Sequence, residues 1–191
     1  MARWEPGARE RLQKAALELF SGKGYEITTA AEIAQAAGLT ERTFFRHFAD
    51  KREVLFTGQD EFTSPFLAGI EAAPQGATPL EVVSSAVIGA AGFFPVEKRA
   101  YSRLRQTVIV ANPELQEREL LKMASLAATL AAALRGRGVA EPAASLAAES
   151  GVTVFRVSFE LWLADETGAS IDDIERKVFR ELGALTAVTA E

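Results

Sequence analysis

Residues 29–48 read TAAEIAQAAGLTERTFFRHF, and this stretch decides the fold of the N-terminal part of the chain. Two short helical segments meet at Gly38, because glycine adopts the left-handed backbone that a tight turn between helices requires. The apolar side chains at helical spacing face inward: Ile33, Ala37, Leu39, Phe44 and Phe48. The pattern predicts a helix-turn-helix.

The second of these helices presents mainly polar and basic side chains outward: Thr40, Glu41, Arg42, Thr43, Phe45, Arg46 and His47. An α-helix fits the major groove of DNA, where arginine can read guanine and apolar groups can contact thymine methyls. Helix N-termini and hydroxyls bind phosphates. The surface therefore predicts DNA binding, and the alternative at this point is an ordinary pair of helices with exposed basic residues.

Helix start signals recur along the whole chain. Residues 29–32 and 78–81 form capping boxes, 50–53 has the same shape with an aspartate cap, and Ser170 precedes a first turn with two acids. Alanine is abundant and β-branched runs are short, which favours helix. We predict nine helices and no strand, with Pro65 kinking or ending a long fourth helix.

The C-terminal part carries apolar faces that need partners. Two stripes are predicted on one helix, formed by Val152, Phe155, Phe159 and Trp162 and by Val154, Val157, Leu161 and Ala164. A helix that is apolar on two sides must be covered on two sides. The last helix places Ile171, Val178 and Leu182 on an apolar face, opposite a polar face assigned to include Glu175. We predict a homodimer through residues 143–164 and 171–187.

Composition excludes several classes of function. The 191 residues include no cysteine and one histidine, His47, which rules out thiolate metal sites and leaves no second imidazole. No glycine-rich phosphate loop is present. The longest mostly apolar stretch, 123–134, is shorter than the roughly 20 residues of a membrane span. We expect no enzyme activity, no cofactor, no metal, no membrane contact and a cytoplasmic location.

Charge is unevenly placed along the chain. Residues 1–52 carry nine Lys and Arg against seven Asp and Glu, whereas the whole chain has a net charge of −5. A mildly basic N-terminal part on an acidic remainder is compatible with an anionic partner for the N-terminal part. The sharpest change in composition falls near residue 50.

The N-terminal part resembles the tetracycline-repressor (TetR) family over about residues 8–56. The residues that carry the resemblance are Leu19-Phe20, Gly24-Tyr25, Thr29, Ile33-Ala34, Ala36-Ala37-Gly38, Thr43, His47-Phe48 and Lys51. The resemblance implies an all-α homodimer with a three-helix DNA-binding domain, residues 1–50, and a six-helix ligand-binding and dimerisation domain, residues 51–191.

The resemblance also implies roles for single residues. Thr29 and Thr40 match helix caps that face phosphates, Thr43 and His47 match contacts in or beside the groove, and Lys51 matches a phosphate-contacting lysine that opens the fourth helix. This chain departs from the family at two positions. Phe45 replaces a usual tyrosine, and Arg42 replaces a usual small residue, so the latter can add a base contact.

Large aromatic side chains in the C-terminal part predict a small-molecule site. The residues expected to line it are Phe62, Phe66, Tyr101, Arg103, Phe159 and Trp162. The alternative is that these aromatics only fill the core. The favoured interpretation is a repressor whose apo dimer binds a near-palindromic operator and is released by an apolar or aromatic effector. The alternatives are a helical effector-binding or interaction protein without specific DNA binding and, more distantly, a helical-bundle enzyme.

Overall fold

The computed structural model describes residues 7–56 and 59–187, and for residues 59 and 60 the backbone alone. These residues form nine α-helices and three short 3-10 helices, and they contain no strand. The prediction of an all-α fold is confirmed.

The helices follow one another in a simple order along the chain. The α-helices are α1 (Ala8–Gly22), α2 (Ala30–Ala36), α3 (Glu41–His47), α4 (Gln59–Ala72), α5 (Pro79–Gly89), α6 (Arg99–Val110), α7 (Pro113–Gly136), α8 (Ala143–Ala164) and α9 (Ile171–Thr186). The 3-10 helices span Glu53–Leu55, Ala90–Phe93 and Val96–Lys98.

The predicted caps at Thr29, Thr78 and Ser170 are present. The Thr29 hydroxyl accepts from the Glu32 N–H at 3.2 Å, and the Glu32 carboxylate accepts from the Thr29 N–H at 2.9 Å. Thr78 and Glu81 form the same reciprocal pair at the start of α5, and Ser170 caps α9. These bonds satisfy N–H groups that the first turn of a helix leaves unpaired, so the helix starts are determined locally.

The fourth helix begins later than the sequence predicts. Asp50 accepts from the Glu53 N–H at 3.0 Å as a cap would, but it opens only the 3-10 turn Glu53–Leu55. The backbone at Phe56 is extended and its ring is buried in the core, so the 3-10 turn does not continue as a helix, and α4 starts only at Gln59. Pro65 lies inside α4, so it does not end the helix, and the kink that is the other predicted outcome stays a prediction.

The chain divides into two compact units. The first is formed by residues 1–58 with 103–119, and the second by 59–102 with 120–191. The first core contains residues from α1–α3 together with Val108, Ile109 and Leu115. Apolar side chains from a distant segment therefore complete this core. The boundary predicted between residues 50 and 51 stays a prediction.

One ion pair, one hydrogen bond and two arginine–aromatic contacts hold the segment 103–119 against the N-terminal segment of this unit. The Arg118 guanidinium donates to both Glu53 carboxylate oxygens, at 2.6 and 3.0 Å. Arg105 donates to the Leu55 carbonyl at 2.8 Å and to Glu119 at 2.8 Å. Both guanidiniums lie over the Phe56 ring, that of Arg105 at 5.1 Å and that of Arg118 at 4.9 Å from its centroid. Arginine stacking and bidentate pairing together fix this contact.

The second unit has its own apolar core, built from α4, α5, α7, α8 and α9. Helix α5 packs against α4, α8 and α9, and α8 packs against α9. Arg99, at the start of α6, donates to the Asp165 carboxylate at 2.9 Å and to the Ala169 carbonyl. The loop that joins α8 to α9 is therefore tied to α6 by a partly buried ion pair.

Two predictions about α8 and α9 need correction. The second apolar stripe of α8 is predicted to face a partner, but Val154 is 2% exposed and lies in the core of its own chain. Val157 and Leu161 of the same stripe are exposed. Glu175 is fully buried, so its assignment to the polar face of α9 is wrong. It lies four residues after Ile171, and this spacing places it on the buried face of the helix.

No single helix within the described ranges is long and apolar enough to cross a membrane. Two consecutive helical segments, 79–93 and 96–110, reach that length and composition when taken together, but they are bent by 67° relative to each other.

Candidate DNA-binding and ligand-binding sites

Helix α3 has one buried face and one solvent-facing side. Phe44 and Phe48 are 0% and 4% exposed and anchor the helix in the core of the first unit. Arg42, Phe45 and Arg46 are exposed, Phe45 to 52%. Within residues 7–56 and 59–187 neither guanidinium forms a hydrogen bond or an ion pair. The outer face therefore presents two available cations around an aromatic ring.

The N-terminus of α3 carries two hydroxyls. Thr40 caps the helix by accepting from the Thr43 N–H at 3.2 Å, and the two side-chain oxygens lie 3.0 Å apart. Thr29 occupies the equivalent cap of α2. Helix N-termini carry partial positive charge and free N–H groups, so both caps suit the phosphate contacts predicted for them.

His47 ends α3 and is half-buried beside Phe48, with 6.3 Å between ring centroids. Burial lowers its pKa, and the positive charges of Arg46 and Arg9 lower it further. The imidazole is therefore neutral at pH 7. A neutral imidazole carries no charge, and its Nε2 is buried without a hydrogen-bond partner among the described residues, so this nitrogen does not face a base or a phosphate.

The Lys51 ammonium is used inside the first unit. It donates to the carbonyls of Tyr25, Glu26 and Thr28 at 2.9, 3.0 and 3.3 Å and lies 4.3 Å from the centroid of the Tyr25 ring. An ammonium has three donors, and these carbonyls take all three. Its contact with phosphate stays a prediction, while its hold on the turn between α1 and α2 is a role that the sequence did not reveal.

The predicted ligand residues fall into two groups. Phe62, Phe66 and Trp162 are at most 1% exposed and belong to the core of the second unit, with Phe159 partly buried against it. The rings form a contiguous aromatic cluster with Phe155, including a Phe62–Phe66 centroid distance of 5.4 Å. Tyr101 and Arg103 are exposed, so neither contributes to this core. The lining role of all six stays a prediction.

The sequence analysis did not predict that several polar groups of the second unit are buried without a partner. The hydroxyl of Ser158, the indole N–H of Trp162 and both carboxylate oxygens of Glu175 are buried and lack a hydrogen-bond partner among the described residues. Buried polar groups are normally paired, so each of these raises the cost of folding. The position of Glu175, four residues after the apolar Ile171 in the same helix, was the signal in the sequence that could have predicted its burial.

Family comparisons define the class of protein. The model described as "Bacterial regulatory proteins, tetR family" matches residues 12–57, and the model described as "MftR C-terminal domain" matches residues 77–187. The fold and the helix-turn-helix thus define a bacterial transcriptional regulator. The chain belongs to the TetR family, whose members are regulators and not enzymes.

Two curated relatives show how far the similarity extends. The HTH-type transcriptional regulator TcmR of Streptomyces glaucescens is 47% identical over 78 residues, which are 41% of this chain and 34% of TcmR. The match therefore spans about a third of that relative. A protein named MftR from Mycobacterium tuberculosis is 26% identical over 176 residues, 91% of this chain and 88% of that protein.

Solved structures share the fold over nearly the whole chain. Thermus thermophilus FadR, a repressor crystallised with lauroyl-CoA, is 24% identical with a TM-score of 0.57, covering 96% of this chain and 97% of its own. The SmeT–triclosan complex is 17% identical with a TM-score of 0.61, covering 94% and 91%. At these identities the comparison shows the fold alone.

Proposed function

We propose that this protein is a ligand-responsive repressor that binds a near-palindromic operator as a homodimer. The observation that carries the proposal is the outer face of α3, where Arg42, Phe45 and Arg46 are exposed beside an N-terminus capped by Thr40. Because the proposed target is chromosomal DNA, we place the protein in the cytoplasm.

On the outer face of α3, different residues suit contacts with bases and contacts with phosphates. Arg42 lies in the first turn of α3, where a recognition helix brings side chains to base edges. The exposed Phe45 ring suits a thymine methyl. Thr29, Thr40 and Thr43 carry hydroxyls at helix starts, which suits phosphate oxygens. Lys51 supports the same surface by fixing the turn that precedes α2.

Replacing Arg42 with alanine is expected to weaken binding to the operator more than binding to random DNA. A bidentate contact with guanine contributes about 1–3 kcal/mol of discrimination, or roughly fivefold to 150-fold in affinity. Fluorescence anisotropy with the promoter beside the protein's own gene and with a scrambled duplex measures both affinities at one salt concentration.

Arg156 on α8 provides the matched control, because it is an exposed arginine outside the helix-turn-helix. Its alanine variant should bind the operator like the wild type. Equal losses of Arg42→Ala on operator and random DNA would show that Arg42 contacts only the backbone. Failure of the wild type to prefer any promoter duplex would favour an effector-binding protein without specific DNA recognition.

Exposed apolar side chains on α8 support the proposed dimer. Leu146, Val157 and Leu161 are 64%, 42% and 50% exposed on a helix whose opposite face is buried in the core. These positions are spaced by eleven and four residues, which places them on one side of a helix. A second copy of this face would cover them, as symmetric dimers do.

A Val157→Glu/Leu161→Glu variant is expected to be monomeric, because two carboxylates would be buried without partners in the interface. Sedimentation velocity at micromolar concentration should show the mass of two chains for the wild type and of one for the variant. Leu120→Glu is the control, since Leu120 is 63% exposed on α7. A monomeric wild type would exclude this dimer.

The aromatic core of the second unit supports the proposed effector. Phe62, Phe66 and Trp162 bring a large apolar surface together, and Phe159 lies at its edge. FadR and SmeT, which share the fold, were crystallised with lauroyl-CoA and triclosan, both partly apolar molecules. We infer an apolar or aromatic effector for this chain, and native mass spectrometry of the purified protein can identify a retained molecule.

A further inference from the structure

A groove runs between α5 and α9, inside the second unit. Its volume is about 400 Å³, which is within the range of small-molecule sites. Its apolar wall is formed by Leu80, Ile88 and Phe179, all of them half-buried. None of the aromatic residues predicted to hold the effector lines it, so it is a separate feature of this unit.

Two arginines give the groove a cationic side. Arg176 and Arg180 lie one turn apart on α9, and both line the groove and are exposed. Neither forms a hydrogen bond or an ion pair with any residue in the part of the chain that the structure describes. Guanidinium groups pair with carboxylate, sulfonate or phosphate oxygens through two parallel hydrogen bonds, so this pair is suited to an anion.

The opposite wall adds one hydroxyl and one acid. Ser84 is half-buried in the groove and has no hydrogen bond among the described residues. The Glu81 carboxylate accepts from the Thr78 N–H at 2.7 Å and from its hydroxyl at 2.8 Å, and these bonds lower its pKa. Glu81 therefore stays ionised, and the groove carries two positive charges against one negative charge.

We propose that this groove binds a small amphipathic monoanion. Its apolar body would pack on Leu80, Ile88 and Phe179, and its anionic group would pair with Arg176 and Arg180. The excess of a single positive charge fits one anionic group, and Glu81 forms no ion pair with either arginine, which leaves both guanidiniums available to the ligand. The site is distinct from the DNA-binding face and from the aromatic core.

The probe for this site is 1-anilinonaphthalene-8-sulfonate, a planar aromatic monoanion whose fluorescence rises when it leaves water. The wild-type protein should bind it saturably, with one site in each chain that depends on the two arginines. An Arg176→Gln/Arg180→Gln variant should bind it at least about tenfold more weakly, because charge-assisted hydrogen bonds are lost. Both side chains are exposed, so circular dichroism should show an unchanged fold.

An Arg156→Gln/Lys177→Gln variant also removes two positive charges, but from exposed positions that do not line the groove. It should bind the probe like the wild type. N-phenyl-1-naphthylamine has the same rings without the sulfonate, and the groove variant should bind it like the wild type. Equal probe affinity in wild type and groove variant, equal losses in both double variants, or no binding to the wild type would each overturn the proposal.

Discussion

Replacing Glu175 with glutamine is expected to stabilise the folded protein at neutral pH. The Glu175 side chain is fully buried on α9, and neither carboxylate oxygen has a hydrogen-bond partner among the described residues. Burial raises its pKa from 4.5 to about 8, the negative charge of Asp172 adds to the rise, and Arg176 opposes it. Glutamine keeps the size and polarity of the side chain but cannot ionise.

The direction of the pH dependence follows from the two protonation states. The folded protein keeps the Glu175 proton up to about pH 8, whereas the unfolded chain releases it near pH 4.5. Stability therefore falls as the pH rises between these values, because the unfolded state binds fewer protons. By pH 7 the wild type should have lost roughly 3 kcal/mol that the glutamine variant retains.

Urea unfolding at pH 5.5 and pH 7 measures this difference at one protein concentration, which must be fixed because a dimer is more stable at higher concentration. The stability of Glu175→Gln relative to wild type should grow by roughly 2 kcal/mol over this interval. Glu181→Gln is the control, since Glu181 is exposed on the same helix. Parallel pH profiles for wild type and Glu175→Gln would show that the carboxyl is charged in the folded state.

Local signals predicted most of the helix starts. The capping boxes at Thr29 and Thr78 and the cap at Ser170 depend on residues within one turn of each other, so the sequence contains the whole interaction. Gly38, with φ at 69°, likewise has the left-handed backbone that its place between α2 and α3 requires. Such features need no knowledge of the remaining chain.

Features that depend on distant residues could not be predicted in the same way. The cap at Asp50 looks like a helix start, but Leu55 and Phe56 are drawn into a core completed by residues from 103–119. A change of composition near residue 50 carries no information about the packing of residues 103–119 against the N-terminal segment. Arg118 and Glu53 are 65 positions apart, and no local pattern links them.

The candidate sites show the same division. The exposure of Arg42 and Phe45 follows from helical periodicity around the buried Phe44, so the outer face of α3 was predictable. The three carbonyls around Lys51 and the groove between α5 and α9 depend on how separate segments pack. Spacing did place Arg176 and Arg180 on one side of α9, but only the fold shows that this side meets α5.

Replacing Gly69 with alanine is expected to destabilise the second unit strongly. Helix α4 crosses α5 at this position, and a Cβ on residue 69 would lie 2.6 Å from both the Ala86 Cα and the Ser85 carbonyl oxygen. Both atoms belong to backbone, so no side chain can turn aside and the two helices would have to separate. Overpacking of this kind costs about 1–3 kcal/mol, occasionally more, and it outweighs the roughly 1 kcal/mol by which alanine favours helix over glycine.

Because the added Cβ meets two backbone atoms at once, the overpacking cost should lie near the upper end, about 3 kcal/mol. The net loss should then be about 2 kcal/mol, which lowers the melting temperature by roughly 4–8 °C in a chain of this size. Gly183→Ala is the matched control, because Gly183 lies within α9 with no atom within 4 Å of its added Cβ. That variant should melt slightly higher than wild type, since only the helix preference changes. Differential scanning calorimetry of the three proteins at one concentration separates the two effects. A Gly69→Ala protein that melted at or above the wild-type temperature would mean that α4 and α5 are farther apart at this crossing than their backbones indicate.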